Sequence, residues 1–160
     1  MKKITPFLWY ENQAQEAAEF YVSLFQNSKI TNVTRVENSG PYEDRQVVMV
    51  SFELDGLELV AFNGGPDFKL TEASSLFVNC ESQGEVDRLW TALSAGGEEQ
   101  QCGWLKDRFG LSWQIVPARM MELMQDPDPV KVGRVTHAML GMVKLDIAEL
   151  ERASLSEKVD

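Results

Sequence analysis

The same order of secondary-structure elements occurs twice along this 160-residue chain, although the residues themselves hardly repeat. A predicted strand over Ile4–Tyr10 precedes a helix and three further strands, and a strand over Ser75–Cys80 begins the same series again. In both halves a glycine turn precedes the last strand, Asp55-Gly56 in the first and Phe109-Gly110 in the second. Because a repeated order of elements indicates a duplicated unit, the sequence predicts an α+β fold of two βαβββ modules.

Local patterns place the remaining elements. We expect Asn12 to cap the first helix, with Gln15 completing a capping box, and Ser82 to cap the second helix together with Glu85. Alternating apolar residues in the Gln46–Leu54 strand predict one buried face. The other predicted strands begin near Lys29 and cover Leu57–Phe62, Glu99–Cys102, Trp104–Lys106 and Ser112–Val116.

A methionine-rich tail follows the second module. The Asp126–Pro129 segment (DPDP) reads as a linker that ends in a helix cap and a proline at the first helical position. The apolar stripe of the tail needs a partner surface, either the parent domain or a second subunit. We therefore expect a single domain over 1–160, with module one at about 1–66, module two at about 74–117 and a helical tail at about 118–160.

Charge and composition exclude several classes of function. The chain carries 25 acidic and 15 basic residues, a formal net charge of -10, which disfavours binding to nucleic acids and to anionic membranes. No stretch has the length and apolarity of a membrane span or a signal peptide. Cys80 and Cys102 form no disulfide pattern, so we expect free thiols and a cytoplasmic location.

Three strings of residues resemble a known family. These are Ile4–Tyr10 (ITPFLWY), Ala17–Tyr21 (AAEFY) and, above all, Cys102–Pro117 (CGWLKDRFGLSWQIVP). They are similar to the PhnB-like branch of the vicinal oxygen chelate superfamily, which includes glyoxalase I, bleomycin-resistance proteins and extradiol dioxygenases. The branch is often labelled 3-demethylubiquinone-9 3-methyltransferase. The resemblance implies eight strands in a cup-shaped mixed sheet around a pocket, C-terminal helices in addition, and a homodimer.

The metal ligands of the superfamily are missing from this sequence. Members that use a metal place histidine and glutamate on the first and last strands of each module, and these positions fall here near Ile4, Val60, Ser75 and Gln114. The single histidine, His137, lies on a predicted C-terminal helix. A catalytic zinc site generally needs about three His, Cys or carboxylate ligands, so we predict no metal and no other cofactor.

Two further kinds of chemistry receive little support from the residues. A methyltransferase needs a glycine-rich strand-to-helix turn for its donor, whereas Gly64-Gly65 precedes a proline and Gly96-Gly97 follows a helix. Cys102 is interpreted either as a reactive thiol or as a small half-buried strand residue; the first needs an activating base, and none is near in sequence. Asp107 and Arg108 either orient a polar ligand or form a solvent-exposed turn.

The aromatic residues are the candidates for ligand binding. Inward positions alternate with outward ones along a strand, so some rings on the predicted strands line a cavity if they do not simply fill the core. Amide side chains beside such rings would suit a planar or apolar small molecule. The candidate ligand-binding residues are Trp9, Phe62, Asn63, Cys102, Trp104, Trp113 and Gln114.

These observations favour a metal-independent, homodimeric protein that binds a small molecule without cleaving it. Whether the protein is an enzyme stays open at this stage. One alternative is a lyase, isomerase or dioxygenase whose divalent ion is held by unexpected ligands. Others are the methyltransferase of the branch label and a dimeric protein-interaction module that presents an acidic surface and the methionine-rich tail.

Overall fold

The computed structural model describes residues 2–42 and 46–156, and the chain divides into two compact units, Met1–Leu70 and Thr71–Asp160. The predicted α+β fold with two βαβββ modules and a helical tail is confirmed. The first unit contains β1 (Phe7–Tyr10), α1 (Ala14–Leu24), β2 (Lys29–Val36), β3 (Gln46–Leu54) and β4 (Leu57–Asn63). The second contains β5 (Ser75–Cys80), α2 (Gln83–Ser94), β6 (Glu98–Glu99), β7 (Trp104–Lys106), β8 (Ser112–Pro117), α3 (Ala118–Met124), α4 (Pro129–Leu140) and α5 (Ile147–Leu155).

The eight strands form two four-stranded mixed sheets with the same topology. The order is β1-β4-β3-β2 in the first sheet and β5-β8-β7-β6 in the second. In each sheet the first strand of the module pairs in parallel with the last, and the remaining pairs are antiparallel. The repeated order of elements in the sequence therefore corresponds to a repeated pattern of strand pairing.

One helix packs against one face of the first sheet. Helix α1 buries its alanines and Tyr21, while β3 buries Val50 and Phe52, as the predicted alternation requires. The rings of Tyr21 and Phe52 lie 6.3 Å apart, and the hydroxyl groups of Tyr21 and Tyr10 are 3.2 Å apart. Small alanine side chains allow the helix to approach the sheet closely, which gives a dense core.

The second unit repeats this packing and adds the tail. Helix α2 buries Leu89 and Trp90 on the side where β8 buries Trp113. The tail packs on the same unit, in a cluster of Val116, Met120, Leu123, Val135, Met142, Leu145 and Leu150. Gln83 of α2 fastens it further, because its amide donates to the Leu145 carbonyl at 3.0 Å and accepts from the Ile147 N–H at 2.8 Å.

The cap predicted for the first helix is wrong. Gln13 is the N-cap residue and makes no side-chain capping bond; the Ala14 N–H instead donates to Oδ1 of Asn63 at 2.8 Å. Asn12 is exposed. The helix is capped from the end of β4 because the parallel pairing of β1 with β4 brings Asn63 level with Tyr10.

The other predicted caps are confirmed. The Ser82 hydroxyl accepts from the Glu85 N–H at 3.2 Å, and the Glu85 carboxylate reaches back to the Glu81 N–H. Asp128 accepts from the N–H of Val130, and Pro129 occupies the first turn of α4. Both arrangements satisfy N–H groups that have no partner inside the helix.

Two strand boundaries differ from the sequence-based expectation. Strand β1 begins at Phe7, and Ile4 lies outside it with 87% of its surface exposed. The strand expected over Glu99–Cys102 is only Glu98–Glu99, since the chain turns before Trp104 and Cys102 adopts a positive φ of 59°. A residue in the left-handed region cannot continue a strand.

Among the helices of the described residues, none has the length and apolarity that crossing a bilayer requires.

We expect Asn63→Ala to lower the free energy of unfolding by about 2 kcal/mol, because it removes the cap of α1 and a second bond, from Nδ2 to the Val47 carbonyl. The matched control is Asn12→Ala, for which we expect a change within about 0.5 kcal/mol. Urea denaturation of both variants measures the difference. Equal losses would contradict the assignment of the cap to Asn63.

Candidate functional site

Each sheet has a face opposite its helix, and we call these the open faces. In the first sheet, Trp9, Phe62 and Met49 form one cross-strand row of the open face, and Phe7, Val60 and Ser51 form the next. The row between them, Leu8, Ala61 and Val50, points to the helix side and is buried. Strand alternation therefore separates the residues that pack under the helix from those of the open face, where Val60 is nevertheless covered by its neighbours and only 2% exposed.

Four rings form an aromatic cluster on the open face of the first sheet: Phe7, Trp9, Phe62 and Phe68. Trp9 contacts Phe62 and Phe68 edge-on, with ring centroids 5.1 and 5.0 Å apart, and Phe7 lies 5.3 Å from Phe62. Phe7 is 55% exposed and Phe68 is 67% exposed. Large exposed rings in contact with one another are typical of a binding surface.

Backbone contacts fix the position of Trp9 in this cluster. Its indole N–H donates to the Gly65 carbonyl at 2.9 Å. The ring lies directly against Gly64, where an added Cβ atom would come within 2.3 Å of it. Gly64 and Gly65 therefore allow the chain after β4 to pass close to the indole. This close approach is the structural role of the glycine pair noted in the sequence. Gly96 and Gly97 lie between α2 and β6.

The open face of the second sheet carries two of the other predicted ligand residues. Trp104 and Gln114 are adjacent across β7 and β8, and Phe77 continues the row on β5. Trp104 and Gln114 are half-buried, and Phe77 is 49% exposed. The Gln114 amide donates to the Ser75 hydroxyl at 2.9 Å, which orients its carbonyl oxygen as an acceptor.

The open face of the second sheet also carries a charged pair, Lys106 on β7 and Glu72 before β5. The ammonium of Lys106 is 2.6 Å from the carboxylate of Glu72, which also accepts from the Gln100 amide at 3.1 Å. The bond from Lys106 lowers the pKa of Glu72 to about 2, and the same bond raises the pKa of Lys106. Sequence patterns gave no sign of this pair, since Glu72 lies outside the strands.

Ser112 is the side chain with an unsatisfied buried oxygen in the described part of the chain. It is fully buried, and its hydroxyl has no hydrogen-bond partner within the protein. Ser112 lies in the cross-strand row between Ser75 and Lys106. Leaving a buried hydroxyl without a hydrogen-bond partner is energetically unfavourable. The row that contains Ser112 therefore places an unsatisfied polar group next to Gln114.

Asp107 is buried. The interpretation of this residue as part of a solvent-exposed turn is therefore wrong. Only 2% of its surface is exposed. Oδ1 accepts from the N–H groups of Phe109 and Leu111 at 2.8 and 3.1 Å, and Oδ2 accepts from the Trp113 indole at 2.8 Å. A carboxylate with three donors holds the turn before β8 in one conformation. The guanidinium of Arg108 lies 4.5 Å from the centre of the Phe109 ring.

Three predicted ligand residues therefore have roles in the fold. Trp113 is 1% exposed and faces the helix side, with its N–H bound by Asp107. Asn63 is 7% exposed and caps α1. Cys102 is half-buried in a turn, where its N–H donates to the Met142 carbonyl at 2.9 Å. The interpretation of Cys102 as a strand residue is therefore wrong.

The second thiol is buried. Cys80 is fully buried on β5, and this burial raises the pKa of its thiol to about 12. At neutral pH such a thiol is almost wholly protonated, which is the inert state of a cysteine.

The residues at the superfamily's metal positions do not fit a transition metal. Phe7, not Ile4, lies opposite Val60 in the first sheet, and Phe77 lies opposite Gln114 in the second. These side chains supply one neutral amide oxygen, whereas such ions bind imidazole, thiolate or carboxylate groups. Within residues 2–42 and 46–156, no three His, Cys, Asp or Glu side chains are grouped so that they could hold a metal.

We expect Asp107→Ala to lower the free energy of unfolding by about 3 kcal/mol or more, because three buried donors lose their acceptor. Asp107→Asn should cost less, since it keeps one acceptor oxygen. The neighbouring substitution Arg108→Ala is the control and should cost within about 1 kcal/mol. Urea denaturation followed by tryptophan fluorescence measures all three, and a loss in Arg108→Ala as large as in Asp107→Ala would contradict this role.

We expect the Glu72 carboxyl to titrate well below its ordinary pKa of 4.5, and Lys106→Met to return it towards that value. Because the pKa is lowered in the folded state, the pair stabilises the fold above about pH 4.5, and this contribution is lost as the pH falls towards 2. Carboxyl-carbon NMR titration provides the measurement. Lys144→Met is the matched control: it should raise the pKa of Asp87, which Lys144 lowers, and leave that of Glu72 unchanged.

Comparison with known proteins agrees with this fold. A profile of the family described as 3-demethylubiquinone-9 3-methyltransferase matches residues 2–116. The PhnB protein from Bacillus cereus is 35% identical, with a TM-score of 0.68 over 73% of this chain and 100% of its own. Protein PA1353 from Pseudomonas aeruginosa is 21% identical, with a TM-score of 0.61 over 73% of this chain and 98% of its own, and shares the fold.

A glyoxalase-related enzyme from Fulvimarina pelagi is 12% identical, with a TM-score of 0.44 over 81% of this chain and 91% of its own. No curated protein matches the chain at a significant level. The family match ends at β8, so the helices α3 to α5 follow the matched region. The match spans more than half of the chain, and the resemblance to the PhnB-like branch is thereby confirmed. The chain belongs to the family described as 3-demethylubiquinone-9 3-methyltransferase.

Proposed function

We propose that this protein binds a small organic molecule on the open face of its first sheet, without a metal ion, and holds the molecule without cleaving it. The observation that carries the proposal is the aromatic cluster of Phe7, Trp9, Phe62 and Phe68. It combines two strongly exposed rings with an indole held rigidly by Gly64 and Gly65. A fixed ring beside exposed ones suits the flat, apolar surface of a ligand.

Energetic considerations support a ligand at this place. Phe7 and Phe68 expose apolar surface that water solvates poorly, and a planar molecule in contact with them would remove part of it from water. Stacking of a planar molecule on a strongly exposed ring such as Phe68 would add to the gain from burial. The cluster therefore favours a ligand for its flat shape and apolar surface more than for its charge.

In the second unit we propose Trp104 and Gln114 as ligand contacts on the open face of the sheet, and Cys102 as a contact from the turn before β7. Gln114 supports this, because its oriented carbonyl can accept a hydrogen bond beside the Trp104 ring. Trp113 and Asn63 use their polar groups within the fold, so we propose that they position neighbouring residues. The homodimer and the cytoplasmic location expected from the sequence remain part of the proposal.

Binding of 4-phenylbutan-1-ol, a neutral probe with one ring and one hydroxyl, tests the proposal. With about 11 heavy atoms at roughly 0.3 kcal/mol each, we expect a Kd of a few millimolar. Titration followed by ¹H–¹⁵N NMR should shift the indole N–H resonance of Trp9, with and without EDTA. Phe68→Ala should weaken binding about threefold or more, because a ring contact is lost.

Leu155→Ala is the matched control, since Leu155 is 77% exposed and lies on α5 of the second unit. It should bind the probe as the wild type does. The proposal fails if the Trp9 resonance does not move at probe concentrations several times the expected Kd. It fails equally if EDTA abolishes binding, or if Leu155→Ala weakens binding as much as Phe68→Ala.

A further inference from the structure

A pocket of about 330 Å³ opens beside the aromatic cluster, towards the opposite end of β4. Its lining differs from the cluster: hydroxyl and amide groups come from Thr5, Thr31, Asn32 and Ser51, and Glu58 adds a carboxylate. The volume lies in the range of small-ligand sites. The open face of the first sheet thus has an apolar end and a polar end with a charged group.

Among the described residues around this pocket, no cationic side chain forms an ion pair with Glu58. Glu58 lies directly opposite Glu53 on β3, so two carboxylates are neighbours on one face. The ammonium of Lys29 lies 3.7 Å from Glu53 and pairs with that residue, while Glu58 accepts a backbone N–H from Lys2 at 2.7 Å. The ammonium of Lys2 is directed to the Gly56 carbonyl at 3.4 Å. The two carboxylates and the two ammonium groups are equal in number, but neither ammonium forms an ion pair with Glu58, in a chain whose formal charge is -10.

Strand geometry sets the distance between the two ends. Glu58, Val60 and Phe62 alternate onto the same face of β4, and Phe7 lies opposite Val60. At roughly 3.4 Å per residue, the backbone distance from Glu58 is about 7 Å to Val60 and about 14 Å to Phe62. A ligand in contact with both ends needs its ring and its charged group separated by a distance in this range.

We propose that the ligand is an amphipathic organic cation, with a planar apolar group on the aromatic cluster and a protonated amine in the pocket at Glu58. The inference rests on the proposed function and specifies its ligand class. The amine replaces water at the Glu58 carboxylate and donates to hydroxyl groups of the lining such as Ser51. Anionic ligands of the same shape are rejected by Glu58 and Glu53.

Three probes of one shape test this inference: 4-phenylbutylamine, 4-phenylbutan-1-ol and 4-phenylbutanoate. We expect the wild type to bind the amine about three- to tenfold more tightly than the alcohol, because a charge-assisted bond forms at Glu58, and to bind the carboxylate most weakly. Calorimetric titration at low and at physiological salt gives the three Kd values. The preference for the amine should decrease as salt screens the carboxylate.

Glu58→Gln keeps the shape of the side chain and should make the amine and the alcohol bind about equally, with the affinity for the alcohol unchanged. Glu11→Gln removes the same charge from an exposed residue beyond the other end of the sheet, and should keep the preference. Equal binding of all three probes by the wild type would overturn the cationic ligand and leave the proposed function standing. Failure of every probe to shift the Trp9 resonance would overturn both.

Discussion

The alternation of side chains along each strand lets a single helix bury one face of each four-stranded sheet, while the tail covers Val116 on the other face of the second sheet. Val50 and Phe52 of the first sheet pack under α1, and Trp113 of the second lies on the side of α2. The residues that alternate with these along the strands, such as Ser51 and Gln114, necessarily point to the other face. Phe7, Phe62 and Glu58 owe their place on the open face to this alternation, and Phe68 joins them from the segment after β4.

Two buried polar side chains keep the strand ends in place. Asn63 ends β4 and caps α1, so the strand that carries Phe62 is tied to the helix behind the sheet. Just before β8, the Asp107 carboxylate accepts hydrogen bonds from two backbone N–H groups and from the Trp113 indole. Both side chains are buried and directed into the fold. Their contribution to a site is indirect, through the positions of their neighbours on the open faces.

The two open faces differ in charge and polarity. In the second sheet the carboxylate of Glu72 is matched by Lys106, and neutral groups such as Gln114 and Ser112 surround them. In the first sheet Glu58 has a backbone partner and a like-charged neighbour, next to a cluster of rings. The first face therefore combines exposed rings with a carboxylate, whereas the polar groups of the second are a matched ion pair and neutral side chains.

The sequence by itself determined the two modules, the turns at Asp55-Gly56 and Phe109-Gly110, and the cap at Ser82, because periodicity and turn chemistry act over a few residues. It also placed the candidate rings on strands. Only the tertiary structure decided which ring faces the helix and which the open face, since register depends on pairing with distant strands. The cap of α1 comes from Asn63, 49 residues beyond Ala14, and the carboxylate of Asp107 is buried by a turn that folds back on it. Contacts of this kind arise from three-dimensional proximity, which no local pattern of residues encodes.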